Sequence, residues 1–161
     1  MPLVRPLEKI ISSGSTISIN SAANLTTRWK AALSDGHVNT YALFTALALE
    51  RVRPGGLIAL VIPTSFVGGP YFAKLRQLIL AQAEVLSLDL IDRRSDIFLD
   101  VTQDTCVLLA RRHRPGTASG SNPSCALIAS DGSARYLGQV EVPAGGESRY
   151  WVLPSAVGTP S

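Results

Sequence analysis

Six apolar residues in a row, Leu57-Ile58-Ala59-Leu60-Val61-Ile62, stand directly behind Pro54-Gly55-Gly56. A strand with one wet face would alternate polar and apolar residues, and this run does not. It predicts a strand covered on both faces, as in a mostly parallel sheet. The run is far too short for a membrane-spanning helix, which needs ~20 apolar residues. The residues on either side must therefore supply the layers that cover it.

They do so in helical pattern. Asn39–Arg53 predicts a helix, with Asn39 placed to cap its free N–H groups. Leu43, Phe44, Leu47 and Ala48 fall on one face. Pro54-Gly55-Gly56 ends the helix. Downstream, Gly69-Pro70 puts a proline in the first turn of a second helix. Tyr71, Leu75, Leu78, Ile79 and Gln82 follow at helical spacing, with Lys74 and Arg76 expected to stay in water. Val85–Ile91 and Thr105–Ala110 predict two further strands, the second holding Cys106 as a buried thiol. Between them the polar stretch Asp92–Asp104 exceeds a minimal turn, and loops of that length at the end of a sheet commonly carry function.

The flanks read differently. Residues 1–38 are weakly patterned, apart from Leu25, Trp29, Ala32 and Leu33, which share one face of two helical turns. After Pro115 glycine, serine, proline and alanine dominate, with short β runs at Ala126–Ala129, Tyr136–Val142 and Tyr150–Leu153. The organisation expected is a loose segment 1–38, an α/β domain 39–114, and a linker with a β-rich tail 115–161 that begins a second domain. The 46% hydrophobic against 17% charged content supports a packed core rather than disorder. A net charge of +3 is compatible with nucleic acid and too small to argue for it. Cys106 and Cys125 make no metal site and fit a reducing, cytoplasmic location. Ile10–Ile19, interrupted by serines and a glycine, is no signal-peptide core.

Several elements in order resemble a known family. They are Asn39-x-Tyr41-x-x-Phe44, Arg53-Pro54-Gly55-Gly56, Val61-Ile62-Pro63-Thr64-Ser65-Phe66, Gly69-Pro70-Tyr71-Phe72-x-x-Leu75-Arg76 and Phe98-x-Asp100-Val101. Together, over residues 36–112, they look like the adenine-N6-specific DNA methyltransferases of restriction-modification systems. Any one of them alone is common among Rossmann-like methyltransferases. The resemblance implies a fold class: α/β, the C-terminal half of a Rossmann-like S-adenosylmethionine-dependent domain, followed by a short β-rich tail. It also implies S-adenosylmethionine as cofactor in the complete enzyme and DNA as partner, with the target adenine flipped out of the duplex so that its amine can be reached. Phe44 matches the ring that lies against the cofactor adenine. Phe98 matches the loop aromatic that stacks on the flipped base, a contact worth ~1–3 kcal/mol.

The residues by themselves leave alternatives open. Phe44 shares a face with Leu47 and Ala48 and on the residues alone reads first as core, the resemblance pointing instead to the cofactor. Phe98, between Asp96 and Asp100, suits either a buried loop anchor or an exposed stacking ring. Arg93 and Arg94 can meet DNA phosphates. Arg111-Arg112-His113-Arg114 reads first as a solvated strand end. His37 and His113 lack a nucleophile partner and receive no catalytic role.

Two parts of the family pattern are absent. No Asn-Pro-Pro-Tyr occurs: Met1-Pro2-Leu3-Val4-Arg5 is a faint echo, and Asn122-Pro123-Ser124-Cys125 lies beyond the strands. No glycine-rich turn follows a strand into a helix, since Gly55-Gly56 precedes a strand. The chain is therefore expected to be inactive alone, and the run Leu57–Ile62 is expected to leave an open sheet edge for a missing N-terminal part of the enzyme or another chain. A non-catalytic DNA- or protein-binding remnant, or a Rossmann-type methyltransferase with another substrate, are the competing readings.

Overall fold

The computed structural model describes residues 39–92, 103–117, 122–143 and 150–155. Its elements are helix α1 (Thr40–Arg51), strand β1 (Leu57–Pro63), a short helix α2 (Ser65–Gly68), a 3-10 turn (Pro70–Phe72), helix α3 (Ala73–Gln82), then strands β2 (Ala83–Ile91), β3 (Thr105–Arg112), β4 (Ser124–Ile128) and β5 (Ala134–Gln139). The strands form one mixed sheet in the order β1-β3-β2-β4-β5. Strand β3 runs antiparallel between β1 and β2, and β4 pairs parallel with β2. Hence β1, β2 and β4 all point the same way, and their carboxyl ends gather at one end of the sheet. The apolar runs after Pro115 join this sheet as β4 and β5, and Val152 bridges to Glu141.

Register decides what each face carries. Ile58, Ala110 and Val85 lie in one row, Leu60, Leu108 and Leu88 in the next, and Ile62, Cys106 and Leu90 in the third. Helices α1 and α3 cover this side through Ala42, Ala46, Leu49, Leu75 and Ile79, all in one core cluster. The reverse side carries Leu57, Arg111 and Glu84, then Ala59, Leu109 and Ser87, then Val61, Val107 and Asp89. On β1, Leu57 is 59% and Val61 55% exposed. The expectation of a strand covered on both faces is thus corrected: among the described residues β1 is an edge strand covered on one face. Its apolar run lacks alternation, but its burial alternates because helices occupy one side only.

Helix α1 also packs on a different stripe from the one expected. Its buried residues are Ala42, Thr45, Ala46 and Leu49, at i, i+3, i+4 and i+7. Leu43, Leu47 and Ala48 are half-buried, and Phe44 is 61% exposed. Small alanines let the helix lie close on the sheet, so the larger side chains turn to its flanks. Thr45 enters the core without an orphan hydroxyl because its Oγ1 donates to the Tyr41 carbonyl at 2.8 Å. Asn39 occupies the N-cap position, but its side chain makes no capping bond. Its carbonyl accepts from the amide of Ala42 at 3.0 Å.

The clearest departure is Arg76, expected in water and in fact 2% exposed. Its Nη1 donates to the carbonyls of Phe66 and Gly69 at 2.7 and 2.8 Å. These carbonyls belong to the turn that links α2 to α3, where the short helix leaves acceptors without intrahelical partners. Burial lowers the guanidinium pKa from its ordinary value. The Tyr150 ring lies 5.6 Å from the guanidinium carbon, and Trp151 meets Phe66 edge-on at 5.4 Å while donating its amide to the Val67 carbonyl at 3.0 Å. A segment remote in sequence thus seals the turn after β1.

Replacing Arg76 by methionine keeps the bulk and strands those acceptors. The expected loss is about 3 kcal/mol, read as a lower urea midpoint at unchanged m-value. Among the described residues the outer edge of β1 is unpaired, so Val61→Lys is expected to reduce light scattering on concentration or heating with little change in melting temperature. Unchanged scattering would show that this edge does not drive association.

Candidate functional site

The sheet has two chemically distinct ends. At the first, β1 ends in Pro63-Thr64-Ser65-Phe66. The Thr64 amide and hydroxyl both donate to the Asp104 carbonyl, at 2.9 and 3.0 Å. The Asp92 amide donates to the Ile128 carbonyl at 2.9 Å. Both stems of the segment between β2 and β3 are therefore held at the carboxyl ends of β1, β2 and β4. Open α/β sheets bind ligands outside the carboxyl ends of their strands.

The titratable groups inside this end are inert rather than reactive. Cys106 on β3 is fully buried, and its thiol donates to the Ile62 carbonyl at 3.4 Å. Burial, helped by the nearby Cys125 and Asp89, pushes it up to about 12. It offers no thiolate at neutral pH. Burial also raises Tyr41 to about 12, against a smaller lowering by Ser65. The Tyr41 ring rests 5.4 Å from that of Phe72. Asp89 serves the fold: it accepts from the Ser87 hydroxyl at 2.9 Å and from the Ala126 amide at 3.0 Å, beside the bulge in β4. No group of three potential metal ligands occurs among the described residues.

Of the residues singled out in the sequence, Phe44 lies on α1 with its ring largely in solvent, so the core reading of this residue is overturned. Phe98, Arg93 and Arg94 lie outside the described residues. Sequence reasoning missed the buried Arg76, whose only signal was its place one residue after the buried Leu75. It also treated 111–114 as a simple strand end.

At the opposite end of the sheet that cluster closes on the turn before β1. Gly55, Glu84, Arg111, Arg112, His113, Arg114 and Thr117 line a cleft of about 270 Å³. The Gly55 amide donates to the Arg112 carbonyl and the Arg112 amide to the Gly56 carbonyl, both at 2.9 Å, which joins the turn to β3.

No family profile matches the chain. A segment of it is similar to Type II methyltransferases, in agreement with the resemblance drawn from its motifs. The relatives are M.BsuBI of Bacillus subtilis, 38% identical over 63 residues, and M.PstI of Providencia stuartii, 32% identical over 60 residues. These matches cover 39% and 37% of this chain, and the chain spans only 13% and 12% of the relatives. Among solved structures, the type IIG restriction endonuclease BpuSI matches with a TM-score of 0.51 at 21% identity, over 68% of this chain and 12% of that one. That likeness concerns the mixed α/β fold alone.

The raised thiol and phenol set an alkaline limit. Between the ordinary thiol value and about 12, the unfolded chain loses protons that Cys106 and Tyr41 keep when folded. Stability is full below that window and falls as pH rises through it. The urea midpoint is expected to drop from pH 8 to pH 11, and less steeply in Cys106→Ala. A rising midpoint would contradict the burial of both groups.

Proposed function

We propose that the chain is the C-terminal part of an adenine-specific DNA methyltransferase domain of a restriction-modification system, inactive by itself. The reaction of the whole enzyme would move a methyl group from S-adenosylmethionine to the N6 amine of adenine in DNA. The observation that carries this reading is the similarity to two Type II methyltransferases. Two features of the fold support it. The carboxyl ends of β1, β2 and β4 gather where the 93–102 stretch leaves and rejoins the sheet. The ring of Phe44 is available to a ligand rather than committed to the core. In this proposal residues 39–114 form half of a Rossmann-like sheet, 115–161 add a β-rich tail, and 1–38 precede the half-domain as a separate segment.

The residues present fit only part of a cofactor site. Phe44 would lie against the adenine of S-adenosylmethionine, yet no glycine turn leads from a strand into a helix and no Asn-Pro-Pro-Tyr is present to orient the target amine. No chemical step runs through this chain alone. What its residues would contribute is binding: Phe98 stacking on the flipped adenine, and Arg93 and Arg94 meeting phosphates on either side of it. A cytoplasmic setting suits that role.

The remnant reading differs in one outcome. Placing residues 36–112 in M.BsuBI in exchange for the corresponding segment should give a protein that still transfers labelled methyl groups to duplex DNA. The 161-residue chain alone should transfer none. In the active chimera, Phe98→Ala should weaken 2-aminopurine fluorescence at the target position and raise Kd for duplex by roughly tenfold, in line with ~1–3 kcal/mol per stacked base. A folded but inactive chimera would favour a non-catalytic remnant, and methylation by the isolated chain would overturn the reading of an incomplete domain.

A further inference from the structure

The arginine-lined cleft at the amino end of β1 is not explained by packing. It lies about 20 Å from the Thr64 end, given ~3.3 Å per residue along β1. Its lining residues include three arginines and a histidine against a single acidic residue. Each of these side chains is held in a different way. Arg112 is fixed by a 2.7 Å bond from Nη1 to the Gln82 Oε1. Arg111 stands 3.6 Å from Glu84, its cross-strand partner. His113 has Nε2 3.2 Å from the Leu80 carbonyl, which assigns the ring proton to that nitrogen. Arg114 has no carboxylate partner among the described contacts; its backbone is pinned instead. Its amide donates to the Thr117 hydroxyl, and that hydroxyl donates to the Arg114 carbonyl at 2.7 Å.

Gly55 makes the arrangement possible. It sits at φ 80, and a Cβ there would come within 2.6 Å of the Arg114 Nε. The guanidinium therefore lies directly over the glycine backbone, and a larger residue would push it out of the cleft. The volume falls below the ~300–1,000 Å³ of drug-sized ligand pockets and suits a small group. Arginine forks match the oxygens of phosphate in a bidentate way that lysine does not.

We propose that this cleft is a phosphate-binding site, with Arg114 and Arg112 as its principal donors and Glu84 limiting its affinity. Resting on the methyltransferase reading, the group it takes is a phosphodiester of the DNA backbone. At this distance from the Thr64 end such a contact would set the register of the duplex without reading a base. The same chemistry would accept a free phosphate or a small phosphorylated ligand, and the experiment separates the two sources.

The full chain is titrated with inorganic phosphate and pyrophosphate by calorimetry, and with a short fluorescent duplex by anisotropy over a range of salt. Arg114→Gln and Glu84→Gln are compared with the parent, each checked for an unchanged melting temperature. Arg114→Gln should weaken duplex binding several-fold and lower the slope of log K against log salt by about 0.9, the value for one lost phosphate contact. Glu84→Gln should tighten it. Opposite signs from two neighbouring substitutions would not follow from a merely structural role. Should only inorganic phosphate and pyrophosphate respond, the cleft is a small-anion site and the DNA source is excluded. Should neither substitution move any of these affinities, or the parent bind none of the probes, the proposal is overturned. An inactive chimera with intact salt slopes would instead remove the methyltransferase reading and leave the phosphate site standing.

Discussion

Strand β3 hydrogen-bonds along both of its edges, to β1 on one side and β2 on the other. Neither of those strands pairs with the other. The three middle rows of the sheet exist only because β3 returns between them after the segment 93–102. Its inward side chains Cys106, Leu108 and Ala110 are all essentially buried, and each faces an apolar partner on both neighbours. The same insertion leaves β1 and β2 parallel, which gathers strand carboxyl ends on one side and the Arg111–Arg114 segment on the other. The helix-covered face, the exposed apolar edge and the two candidate sites all follow from where this strand enters.

The second constraint is local and polar. The turn after β1 is too short to satisfy its own carbonyls, and a buried guanidinium does so from the next helix. Burying a cation normally costs several kcal/mol unless hydrogen bonds compensate. Here the two acceptors on Nη1, the Tyr150 ring and the packing of Trp151 on Phe66 offset part of that cost, while Nε is buried without a hydrogen-bond partner among the described residues. The tail therefore contributes to the fold beyond lengthening the sheet: it closes the back of the turn from which Thr64 reaches the Asp104 carbonyl. The arginine thereby ties α3 to the turn at the carboxyl end of β1.

The two ends of the sheet differ in chemistry. The carboxyl end holds a thiol and a phenol kept protonated by their surroundings, the buried Arg76 on the carbonyls of the turn after β1, the hydrogen-bonded Asp89, and the largely exposed Phe44 on the helix above. The amino end holds Arg111, Arg112 and Arg114. The arginine cluster stands ~20 Å from the Thr64 end.

The sequence by itself determined the element types and their order. The helix from Asn39, the strand after Pro54-Gly55-Gly56, the proline-led second helix and the strands at Val85 and Thr105 are local decisions of periodicity and turn chemistry, and each formed within a few residues of where the pattern put it. The family resemblance was legible for the same reason, since it rests on motifs in linear order. Only the tertiary structure decided which faces are covered. An apolar run looks the same whether one side or both will be packed, so β1 proved half exposed. Arg76 is buried where water was expected, because the carbonyls of the neighbouring turn need its donors, and Phe44 stands exposed because small alanines bring α1 down on its other stripe. The cleft at Arg114 was illegible because Gly55 and β3 meet only through pairing of strands separated by half the domain, a long-range contact that no local pattern encodes.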